Sequence, residues 1–297
     1  MKRTSRTILA AVVAVILIVS IIWLTKNNQA VTSAGFNGDR AYADVKAQVD
    51  LGPRTPGSPA HQAAIEYFQT ELRKAGWSVE LQEMEYGGHP VKNVIAKRGS
   101  GSWLILGAHY DSRLAADQDP DPANHSAPVP AANDGASGIA VLLELARSLP
   151  ADLNQEIWLA FFDVEDQGNL PGWDWILGST ALAESLPETN LPEAVIILDM
   201  IGDADLNIYM ERNSDGDLTR EIWNTAAELG YAKSFIPEYK FAMLDDHTPF
   251  LRRGIRAVDL IDFDYRYWHT TQDTLDKVSA ESLNIVGDTL YQWITTR

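Results

Sequence analysis

Apolar positions recur along this chain with two different periods, and their alternation sets out the elements. Ile65, Phe68 and Leu72 stand at helical spacing, as one face of a 3.6-residue repeat requires. The spacing predicts a helix that opens at Ser58-Pro59 and closes at Gly76, after Arg73-Lys74. Ser caps a helix start well and Pro is tolerated at the first helical position. Residues 78–84 and 91–97 read as strands. Residues 103–108 form a short apolar run that ends in His109-Tyr110-Asp111, residues 156–162 and 194–200 are further buried strands of this kind, and residues 255–261 read as a strand. Such runs suit strands buried on both faces. Residues 135–149, 219–229, 246–253 and 279–295 read as helices. Strands alternating with helices predict an α/β fold of three layers, α/β/α, with a mixed, mostly parallel central sheet.

The first thirty residues stand apart. Lys2, Arg3 and Arg6 precede an apolar run over residues 8–24, followed by Lys26. The run is near the short limit for a bilayer span, and Trp23 at its end suits an interface. It predicts an N-terminal transmembrane signal anchor over residues 1–26, in preference to a cleaved signal ending near Ala34, with the rest of the chain extracytoplasmic. Residues 27–50 then read as a linker and first helix, and residues 51–297 as the catalytic domain.

Composition narrows the chemistry. Cysteine is absent, so disulfides, thiolate nucleophiles and cysteine metal sites are excluded. A formal net charge of −17 argues against nucleic acid as a partner, since that needs a basic footprint. Residues 112–132 show no periodicity and carry Asp117, Asp119 and Asp121. A loop this long is functional or mobile, and its acids fail the pattern of a calcium loop.

The apolar runs end in acids or histidine: His109 and Asp111, then Asp163, Glu165 and Asp166, then Asp199. In open α/β sheets, sites form beyond the carboxyl ends of the strands. Hard oxygen ligands with an imidazole suit zinc. Taken alone, Asp134 at a helix start reads equally as an N-cap. The adjacent pair Glu165-Asp166 can divide its roles between general base and metal ligand.

Read together, these segments resemble metallopeptidase family twenty-eight, which holds zinc aminopeptidases and the animal-type glutaminyl cyclases. The resemblance rests on His109-Tyr110-Asp111-Ser112, on residues 129–138 around Asn133-Asp134-Gly135, and on Leu143-Glu144-Leu145-Ala146-Arg147. It continues through Phe161-Phe162-Asp163-Val164-Glu165-Asp166, Gly178-Ser179 and Asp199-Met200-Ile201-Gly202. Residues 245–254, beginning Asp245-Asp246-His247, and Trp268-His269-Thr270 look most like the cyclases. The resemblance spans about residues 50–290, with the motifs in order. It implies zinc on Asp134, Asp166 and His269, Glu165 as general acid/base, and an acid network of Glu165, Asp199 and Asp245. Trp268 would line the substrate pocket, with Trp173 or Trp175. Two departures stand out: Asp166 is a residue where most relatives carry Glu, and Ala108 and Ile139 occupy positions that often form a disulfide in animal cyclases.

Two reactions follow from the resemblance, both on peptide or protein N-termini. A cyclase closes an N-terminal glutamine to pyroglutamate with one zinc. An aminopeptidase hydrolyses the first peptide bond, and His109 and Asp199 would then hold a second zinc with Asp134 between the two. Asp245 favours the cyclase, because the aminopeptidases commonly carry Ser there. A catalytically dead, peptide-binding relative is the remaining reading, and the intact Glu165 argues against it.

Overall fold

The apolar runs lie at the centre of a twisted sheet. In the computed structural model, which describes residues 35–297, the strands are β1 (Ser78–Tyr86), β2 (His89–Arg98), β3 (Trp103–His109), β4 (Glu156–Phe162), β5 (Ala194–Asp199), β6 (Ile208–Met210), β7 (Phe235–Tyr239) and β8 (Ala257–Ile261). The helices are α1 (Gly38–Asp50), α2 (Pro59–Lys74), α3 (Ala136–Ser148), α4 (Leu177–Ser185), α5 (Gly216–Glu228), α6 (Thr248–Arg252) and α7 (Ala280–Thr295). The main sheet has the order β1-β2-β4-β3-β5-β8, and β6 and β7 pair separately. β1, β2 and β4 are antiparallel neighbours. β4, β3, β5 and β8 are parallel, so their carboxyl ends all open on one edge.

Every residue of β3, β5 and β8 is buried, because helices cover both faces. One face packs Val94, Leu106, Phe161 and Leu198 with side chains of α1, α2, α3 and α7. The other packs Ile105, Phe162 and Ile197 against Leu182 of α4 and Phe250 of α6. Each buried Leu, Ile or Phe contributes about 1.5–3 kcal/mol relative to exposure, which is why runs this apolar settle into the middle layer. The expected α/β class and mostly parallel sheet are therefore observed.

Local signals act as read. Ser58 caps α2 by accepting from the His61 amide, with Pro59 at the first position. α1 places Ala41 and Val45 in the core, so residues 35–50 share one compact unit with residues 51–297. α3 comes very close to the sheet: a Cβ on Gly138 would stand 2.3 Å from the Leu198 carbonyl oxygen and 2.8 Å from the Ala108 Cβ. Only glycine fits there, and it draws the N-terminus of α3 down to the strand ends. The anchor expected at residues 8–24 lies outside the described residues. Among those described, no helix is long and apolar enough to cross a membrane.

Candidate metal centre

Three loops at the carboxyl edge bring distant residues together. Asp134 precedes α3, but the cap position belongs to Gly135, whose φ of 97° suits only glycine, and no side chain caps the helix. The Asp134 carboxylate is thus free for other work, and Oδ1 lies 3.0 Å from His109 Nε2. The backbone here is held from outside: the Asn133 and Asp134 amides donate to Asp273 at 2.9 and 3.1 Å.

Glu165 and Asp166 follow β4 in a turn where Val164 has φ 53°, a costly conformation for a β-branched residue. The turn is secured by Asp111, which accepts from the amides of Glu165 (3.0 Å) and Asp166 (3.3 Å) and from Gln167 Nε2 (2.9 Å). His269 also has a positive φ, 56°. Its Nε2 lies 2.8 Å from Asp166 Oδ1 and 3.8 Å from Asp134 Oδ2. Asp166 therefore reaches the imidazole although its side chain is short.

Two ligand sets result. Asp134, Asp166 and His269 offer donor atoms all within 4.8 Å of one another, and so do His109, Asp134 and Asp199. Asp134 is common to both. Asp134 Oδ2 and Asp166 Oδ2 are buried without a hydrogen-bond partner, which is costly unless a cation satisfies them. Two carboxylates and an imidazole suit zinc and leave a fourth position open.

Crowded acids shift the titrations. Burial raises Asp166 to about 6, and the charge of Asp134 adds to it. Burial raises Asp199 to about 7, with His109 pulling against the shift and Asp245 pushing with it. Burial holds Glu165 well above the usual carboxylate range, against His109 and with the charges of Asp245, Asp166 and Asp246. For His269, burial favours the neutral ring, but Asp166, Asp117 and Asp134 outweigh it and raise the group to about 9.

These shifts fix a pH dependence. In metal-free protein a raised acid keeps its proton in the fold and loses it in the unfolded chain, so Asp166 and Asp199 withdraw stability as pH climbs from 3.8 through about 6 and about 7. His269 contributes stability in full below 6.5, and that is lost as pH rises through about 9. All three have the same sign. Zinc needs deprotonated ligands, so its stabilisation grows with pH. The melting temperature in chelator is expected to fall between about pH 5 and about pH 9, and the gap to zinc-loaded protein to widen. Thermal denaturation measures both, and a gap that narrows with pH would remove the trio from metal binding.

Beside the trio lies a cavity of about 180 Å³. Its floor is acidic, formed by Asp134, Glu165, Asp166, Asp199 and Asp245, and its walls are Trp175, Trp268, Phe263, Ile261 and Met243, with Leu244 at the rim. Trp268 stacks on His269 at 3.7 Å between ring centroids, and Trp175 at 6.0 Å. Trp173 does not line this cavity. It stacks on His89 at 3.6 Å and packs with Val91, Val164 and Leu177.

Several supporting residues escaped the sequence reading. His247 is fully buried, 3.4 Å from Glu211 and 3.8 Å from Asp259. Glu211 also accepts from the Met243 amide at 2.8 Å, fastening the loop that carries Asp245. Arg54, fully buried, donates to the carbonyls of Tyr110, Pro130 and Ala131. Two acids of the 112–132 loop shape and anchor it: Asp121 caps a short 3-10 turn, and Asp119 accepts from Thr271 and Asn124. The partners of His247, Glu211 and Arg54 are remote in sequence, so no local spacing announces them.

This combination of sheet order, edge site and shared aspartate defines a family. Residues 93–294 match Peptidase family M28, and the chain belongs to it. Among solved structures it is similar to the Bacteroides thetaiotaomicron glutaminyl cyclase bound to N-acetylhistamine, at 32% identity and a TM-score of 0.84 over 89% of this chain and 99% of that one. It is also similar to a Zn-dependent exopeptidase from Parabacteroides distasonis, at 33% identity and a TM-score of 0.82 over 89% and 99%. A glutaminyl-peptide cyclotransferase-like protein of Bos taurus is 29% identical over 74% of this chain, which spans 66% of that relative's length.

Proposed function

We propose that the chain is a zinc enzyme that cyclises N-terminal glutamine of peptides or proteins to pyroglutamate and releases ammonia. The observation that carries this reading is Asp245. It lines the pocket with Glu165 and Asp199, and its charge raises the proton affinity of both. An Asp199 that holds a proton near neutral pH is a poor ligand for a second cation, so one zinc per chain fits best. The similarity to glutaminyl cyclases supports the same choice.

Asp134, Asp166 and His269 would hold the zinc, which when bound would polarise the side-chain amide carbonyl of the substrate. The apolar walls would seat the glutamine side chain beside Glu165, with the α-amine folded back toward its own amide. Glu165 takes a proton from that amine as its nitrogen bonds to the amide carbon. It then returns the proton to the departing nitrogen as the carbon–nitrogen bond breaks. Ammonia leaves and no water is consumed. Burial and the charge of Asp245 keep Glu165 a strong base.

A second reading keeps support from the His109, Asp134 and Asp199 set, whose donors also lie within 4.8 Å. With two zincs the chain would be an aminopeptidase, with Glu165 deprotonating water. The test is mass spectrometry of a glutamine-initiated peptide after incubation, with zinc counted on the same sample. Ammonia loss at one zinc per chain is expected. Loss of the whole residue at two zincs would replace the cyclase with the aminopeptidase, and neither product would leave only peptide binding.

The basic start and the apolar run over residues 8–24 would anchor the protein with residues 51–297, the proposed catalytic domain, outside the cytoplasm. Fractionation should recover it with membranes, digestible by protease added to spheroplasts. Recovery from the cytosol would contradict the anchor.

A further inference from the structure

One buried cation outside both ligand sets reaches Asp166 and the pocket wall at once. Arg113 is 1% exposed and uses all three guanidinium nitrogens. Nε and Nη2 donate to the two oxygens of Asp117 at 2.7 and 2.9 Å. Nη1 donates to the Asp166 carbonyl at 2.9 Å, and Nη2 to the Gly168 carbonyl at 3.1 Å. Nη1 also lies 3.7 Å from Asp166 Oδ1, and the guanidinium carbon stands 5.1 Å from the ring centre of Trp175.

The imidazole of His269 closes a circuit with this group. Its Nδ1 faces Asp117 Oδ1 at 3.4 Å, and its Nε2 faces Asp166 Oδ1 at 2.8 Å. Nδ1 makes no hydrogen bond, so a proton held there by the facing carboxylate would leave the Nε2 lone pair for a metal, as carboxylate–histidine pairs do behind metals. Asp117 is itself one-third exposed, so an untethered side chain there would turn to solvent. The paired donors of Arg113 hold it to the ring, which a single-point ammonium cannot do.

We propose that Arg113 is the positioning residue of the zinc site, orienting His269 through Asp117 and fixing Asp166 through its carbonyl, while its guanidinium face supports the pocket wall at Trp175. The proposal rests on the zinc reading above. It assigns to one side chain the joint setting of metal affinity and pocket shape, and it gives the long 112–132 loop a role as the carrier of both Arg113 and Asp117.

The test measures zinc affinity by competition with a chromogenic chelator, using the full chain, for the parent, Arg113→Lys, Asp117→Asn and the double variant. Melting temperatures in chelator separate positioning from loss of fold. Both single variants are expected to lose about 10- to 100-fold in zinc affinity. The double variant should lose less than the product of the two, because both act partly through one arm. Cobalt-substituted Arg113→Lys should show a shifted visible spectrum, which a merely structural residue would leave unchanged. If Arg113→Lys does not fold, Asp117→Asn alone decides. Asp134→Ala is the control for the zinc reading: if it binds zinc like the parent, that reading has failed. If it loses zinc while Arg113→Lys and Asp117→Asn keep parental affinity and spectrum, the positioning role is overturned.

Discussion

Replacing Asp134 by Ala is expected to abolish zinc retention and turnover together while leaving the chain folded. Asp134 belongs to both possible ligand sets, so no arrangement of one or two ions survives its loss. Two ligands from the remaining trio are too few for a stable zinc site, which takes three protein ligands even when catalytic. The fold should tolerate the change for specific reasons. The side chain does not cap α3, and Asp273 holds the backbone amides of residues 133 and 134 whatever side chain is present. Removing Asp134 relieves its repulsion of Asp166 but also ends its 3.0 Å contact with His109, so in chelator the variant should still unfold cooperatively, at a melting temperature near the parent's. Elemental analysis with thermal denaturation checks this, and equal zinc in the two proteins would refute the ligand assignment.

Glu165→Gln is expected to slow turnover by about 10²- to 10⁴-fold, the range for a lost general acid/base, with zinc content unchanged. Glutamine keeps the size and polarity but cannot accept a proton at neutral pH. Glu165 is in neither ligand set, and its backbone stays tied to Asp111, so the turn that carries Asp166 should persist. Burial and the charges of Asp245, Asp166 and Asp246 give this carboxylate a high proton affinity. That suits a base that must carry a proton from an amine to a leaving nitrogen. Single-turnover kinetics on zinc-loaded protein would measure the loss, and a near-parental rate would remove Glu165 from the chemistry.

Much of this was legible in the chain. Apolar runs such as residues 103–108 and 157–162 are driven into the core, because nothing on them pairs well with water. Their short length and the helices between them point to parallel strands at the centre of a sheet. The same reasoning places His109, Asp166 and Asp199 on one edge, since each stands at or within a few residues of the end of such a run. Ser58 and Pro59 mark a helix start for reasons local to four residues. Asp134 marks the limit of local reasoning: beside a helix it reads as a cap, and only the left-handed backbone of Gly135 turns it from the helix toward His109.

The choice among neighbouring candidates was made elsewhere. Trp173 and Trp175 are separated by one residue in an irregular turn, where no period says which side faces the site. Contacts with His89 on one and with His269 and Arg113 on the other decide it, and those partners lie dozens of residues away. Asp273 and His247 are invisible to spacing for the same reason, because their partners are remote in the chain. By itself the sequence determined the layers, the strand edge that carries the chemistry and the kinds of ligand available. The tertiary structure decided which carboxylates meet, because closing loops across the sheet brings charges within a few ångströms, and at that range burial and repulsion set the role of each.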